Sequence, residues 1–68
     1  MFTKIHRYKV VGSDGSKVLP ILEDSVGWLY IAKLPKDREN IWPSIEMIED
    51  YLQVKLELVD STEFKDMG

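Results

Sequence analysis

Only one stretch of this chain repeats its apolar residues at helical spacing. Ile45, Ile48 and Leu52 fall at i, i+3 and i+7, with Met47 and Tyr51 beside them and Glu46, Glu49, Asp50 and Gln53 opposite. Elsewhere the apolar side chains alternate or run in short blocks bounded by turn formers, as strands do. One helix with one buried stripe needs a sheet to bury against, so the pattern calls for an α+β domain.

The strands can be placed from local chemistry. Phe2, Ile5, Tyr8, Val10 and Val11 mark a first strand that stops at the turn-rich run of residues 12–16, where Asp14 and Gly15 suit a tight hairpin. Residues 17–22 return antiparallel. Pro20 lacks a backbone donor and argues for an edge or a bulge there. After a polar turn at Glu23, Asp24 and Ser25, residues 26–34 form a nearly continuous apolar run, read as a central strand covered on both faces, or on one with the other presented to a partner. Pro35 ends it, and the charged residues 35–40 read as a surface loop.

Ser44 is the expected N-cap, with Met47 where a capping box would place Glu; a start near Asn40, with Pro43 in the first turn, is the alternative. Residues 54–59 switch to period two, with Val54, Leu56 and Leu58 on one side, giving a last strand. The expected order is β-β-β-α-β: a four-stranded, mainly antiparallel sheet with one helix on one face. A small barrel with an appended helix is the alternative. Residues 1–60 are expected to form a single domain and 61–68 a flexible tail.

Length and charge then bound the function. A 68-residue chain has a small core, and with no cysteine and one histidine it has neither disulfides nor a conventional zinc site to supplement it. Self-association is the remaining common route. No window approaches a membrane span and Met1 to Val11 lacks a secretion signal's apolar run, so the expectation is a cytoplasmic protein without membrane contact, metal or cofactor. Net charge is −3, but residues 1–34 carry +2 and residues 35–68 carry −5.

Candidate sites follow from these elements. His6 is the lone conventional base, and a Ser-His-acid arrangement would need one of Ser13, Ser16, Ser25, Ser44 or Ser61 beside it; no spacing suggests that, and no enzymatic activity is expected. The acids Glu46, Glu49 and Asp50 read as a solvated helix face. Trp28 and Tyr30 share one face of their strand, and with Trp42 they form the candidate protein interface of a binding module, expected to be a homodimer. The rival is a nucleic-acid-binding module using Lys4, His6, Arg7, Tyr8, Lys9 and Lys17, where bases and aromatics interleave. Alternation divides that charge, with Lys4, His6 and Tyr8 on one face and Arg7 and Lys9 on the other.

Overall fold

The computed structural model describes residues 2–12, 17–35 and 38–64. The elements are β1 (Phe2–Val10), β2 (Val18–Asp24), β3 (Leu29–Ile31), α1 (Ile45–Leu52) and β4 (Leu56–Glu63). The four strands form one open sheet in the order β3-β2-β1-β4, every neighbouring pair antiparallel. The architecture is the expected α+β arrangement, and the sheet is not closed into a barrel. The tip of the first hairpin, with Asp14 and Gly15, lies outside the described residues.

Side-chain alternation divides the sheet into two faces. Tyr8, Leu19, Ile21, Leu29, Ile31 and Leu56 turn to one side, where α1 lays down Ile45, Ile48 and Leu52. Ile21 and Ile48 are fully buried at the centre, and Ile31 is nearly so. The other face carries Ile5, Arg7, Lys9, Leu22 and Tyr30, and no described helix covers it.

The helix starts after Ser44, as expected, but Ser44 makes no side-chain cap bond. Gln53 ends it in the left-handed conformation at φ 58°, while its backbone N–H donates to the Glu49 carbonyl. Met47 and Tyr51, expected beside the buried stripe, are at least half exposed.

Four expectations need correction. The apolar run 26–34 yields a strand of only three residues, and that strand lies at an edge. Its beginning is consumed by a turn in which Asp24 Oδ1 accepts from the N–H groups of Val26, Gly27 and Trp28 at 2.9–3.0 Å. Its end is another turn, closed by the Leu34 N–H on the Ile31 carbonyl.

Pro20 sits in β2, which is interior. Its carbonyl accepts from Ala32 at 3.1 Å, so the missing donor also faces the β3 side, where β3 has just ended.

The last strand begins and ends later than its sequence pattern indicates. It is paired through Glu63, opposite Lys4, so residues 61–63, expected in the tail, are strand. Val59 is an extra residue there: Arg7 pairs with Asp60 and Tyr8 with Leu58, which makes a β-bulge.

Finally, the loop 35–40 contributes a core residue. Asn40 is buried, and its amide stands in for a neighbouring strand along β3.

Candidate functional site

The two edges of the sheet are treated differently. On β3, Leu29 exchanges both main-chain bonds with Trp42, at 2.8 and 2.9 Å. Ile31 does the same with the side chain of Asn40: its N–H donates to Oδ1 and its carbonyl accepts from Nδ2, each at 2.9 Å. The Trp42 indole N–H adds a third bond to Asn40 Oδ1 at 3.3 Å. A side-chain amide carries a donor and an acceptor at the spacing of a peptide group, so Asn40 saturates the edge without extending it. Asn40 had no period or motif to mark it in the sequence.

β4 has no such cover among the described residues. Lys55 and Phe64 turn their main chain toward β1, their partners being Val11 and Thr3. Counting alternately inward from those ends, and allowing for the bulge, Leu58, Ser61 and Glu63 turn their N–H and carbonyl groups away from the sheet. Leu56 does so too, and its N–H is taken by Glu49 Oε2 at 2.7 Å. Glu49 therefore ties the helix to the strand. Leu58 and Val59 are 52% and 51% exposed, so the open edge is flanked by apolar surface.

The seam between β1 and β4 accounts for the charge asymmetry of the chain. Four register pairs match a basic residue or His6 with a partner directly opposite: Lys4 with Glu63 at 4.0 Å, His6 with Ser61 at 2.6 Å, Arg7 with Asp60 at 2.5 Å and Lys9 with Glu57 at 3.3 Å. Arg7 also donates to Thr62 Oγ1 at 3.2 Å. Exposed pairs of this kind each contribute about 0–1 kcal/mol, but together they favour one register over its neighbours.

The same seam bears on the candidate nucleic-acid residues. Lys4, Arg7 and Lys9 each face a carboxylate, which cancels the field a phosphate backbone would follow. Tyr8 packs under the helix, where burial, then Glu46, Glu23 and Glu49, push its phenol up. Lys17 precedes β2 and lies outside the seam.

His6 is the centre of a polar trio across three strands. Its Nδ1 lies 2.6 Å from Ser61 Oγ on β4, and its Nε2 lies 2.7 Å from Glu23 Oε1 on β2. An ionised carboxylate can only accept, so in the neutral ring Nε2 carries the hydrogen and Ser61 donates to Nδ1. That is the proton order of a Ser-His-acid triad, with the two ring nitrogens exchanged. Ser61 sits on an exposed outer strand, and the clefts formed by the helix, the first hairpin and the Trp28 turn are lined by other residues. The two contacts link β2, β1 and β4 beside Ile21, the residue opposite His6.

The three candidate interface aromatics are not brought together. Tyr30 lies on the helix-free face, its ring edge-on to Phe2 at 5.0 Å and its hydroxyl donating to Asp24 Oδ2 at 3.0 Å. Desolvation and the Asp24 carboxylate both raise the Tyr30 phenol pKa. Trp42 is on the helix side, partly buried against the core and 4.8 Å from the Tyr51 ring. Trp28 is outside β3 and lines a shallow cleft with Val26, Gly27 and Pro43. Alternation along a strand places residues on a common face only while the strand continues, and Trp28 precedes it.

No protein-family model, curated protein or solved structure matches the chain.

Proposed function

We propose that the protein is a non-enzymatic interaction module that works by main-chain pairing along β4, with a second copy of the chain as the occupant of that edge. The carrying observation is the contrast between the edges: β3 is saturated by Asn40 and Trp42, while Leu58, Ser61 and Glu63 turn main-chain groups outward. An antiparallel contact between two β4 strands about a two-fold axis would continue the sheet from four strands to eight.

Two further points support this occupant. The acids of β4 that would repel a second copy already face bases of β1. Leu58 and Val59 would gain burial, which matters where Ile21, Ile31 and Ile48 are the buried apolar residues described. The bulge at Val59 interrupts the edge without closing it, since outward groups remain on both sides.

Sedimentation equilibrium on the wild-type chain and on Leu58→Pro tests the reading. The Leu58 N–H is turned away from β1, so proline removes an outward donor and leaves the inner ladder intact. A salt-insensitive wild-type dimer that becomes monomeric in the variant is the expected result. A monomeric wild type, or a variant that associates equally well, would overturn it.

A further inference from the structure

A second surface, independent of the β4 edge, has the chemistry of a ligand site. Where β1 ends, β2 begins and α1 gives way to the last strand, a cleft of about 300 Å³ opens, with Val10, Leu19, Leu52 and Val54 among its aliphatic walls. Lys17 and Lys33 are its only charged lining residues among those described. Among the described residues neither has a carboxylate partner, whereas Lys4, Arg7 and Lys9 all do. Among the described residues, two ammonium groups without a carboxylate partner thus stand beside one apolar cleft.

The geometry points to a binding site for a single-chain carboxylate amphiphile, its alkyl chain along the aliphatic walls and its carboxylate between Lys17 and Lys33. At about 300 Å³ the cleft has the size of a small ligand pocket. Ligand clefts of this kind are mostly apolar with a few polar groups that fix orientation. An acidic peptide is the weaker fit, because among the described residues the lining offers no hydroxyl or amide side chain to pair with peptide groups. Desolvated alkyl chain provides the attraction and the lysines select the sign of the head group.

Methyl NMR of the full chain, titrated with sodium decanoate below its micelle concentration, tests this directly. The expected result is saturable shifts at Val10, Leu19, Leu52 and Val54, with decyltrimethylammonium at least tenfold weaker. Lys33→Glu and Lys17→Glu, both exposed positions, should each weaken decanoate at least tenfold without lowering the melting temperature. Equal response to the cationic and anionic chains, shifts that map elsewhere, or binding only to anionic vesicles would each overturn the assignment. Because the variants lie off β4, unchanged association in them separates this outcome from that of the edge contact.

Discussion

Ser61 Oγ lies 2.6 Å from His6 Nδ1, while Nε2 of the same ring lies 2.7 Å from Glu23. If the trio is a structural clamp, the neutral ring is held as the Nε2–H tautomer, which ¹⁵N chemical shifts of the imidazole report. Ser61→Ala should cost about 0.5–1.5 kcal/mol in urea denaturation, the net worth of one hydrogen bond. A fluorophosphonate probe should leave Ser61 unmodified; selective labelling that disappears in His6→Gln would make the trio catalytic instead.

Asn40 satisfies both main-chain groups of Ile31 from a buried position. Asn40→Ala strands the Ile31 N–H, while the Ile31 carbonyl keeps the Leu34 N–H, and about 1–3 kcal/mol of destabilisation is expected from one unpaired buried donor. The measurement is the urea midpoint, together with faster amide exchange at Ile31. A loss below about 0.5 kcal/mol would mean that the edge is not sealed in this way.

Asp24 gives the protein a specific acid sensitivity. Desolvation pushes its carboxyl up, but hydrogen bonds from Trp28, Tyr30, Gly27 and Val26 outweigh this and hold it below its ordinary value of 3.8. The lowered native value means that its stabilisation is complete above pH 3.8 and is lost as the pH falls below that value through the native one. Asp24→Asn keeps an acceptor and removes the titration. Its urea midpoint should therefore fall less steeply than the wild type's on acidification; parallel curves would contradict this.

The β1–β4 seam predicts a small, salt-dependent contribution. A double-mutant cycle on Lys9 and Glu57, which are 3.3 Å apart and exposed, should give a coupling below about 1 kcal/mol that shrinks with added salt. Glu57→Lys, which sets like charges opposite each other, should destabilise by a similar amount. A salt-independent coupling of several kcal/mol would contradict the exposed geometry.

Periodicity made the element order and the helix legible: Ile45, Ile48 and Leu52 do face the core, and the two faces of β1 are those its alternation gives. It failed where one side chain overrides a pattern. Asp24 gathers three N–H groups and converts the start of an apolar run into a turn, and Asn40 turns a charged loop into an edge cover. The pairing of β4 with β1 is non-local, so the facing of basic and acidic strands was visible in the sequence only as a charge imbalance between halves. The same non-locality concealed the approach of Ser61 to His6, which are 55 residues apart.

Amide hydrogen exchange as a function of protein concentration tests the central claim most directly. If β4 pairs with a second copy, the outward-facing amides of Leu58 and Ser61 gain protection as concentration rises, while the inward amide of Phe64 hardly changes. Exchange at Leu58 and Ser61 that stays fast and independent of concentration would contradict pairing at this edge.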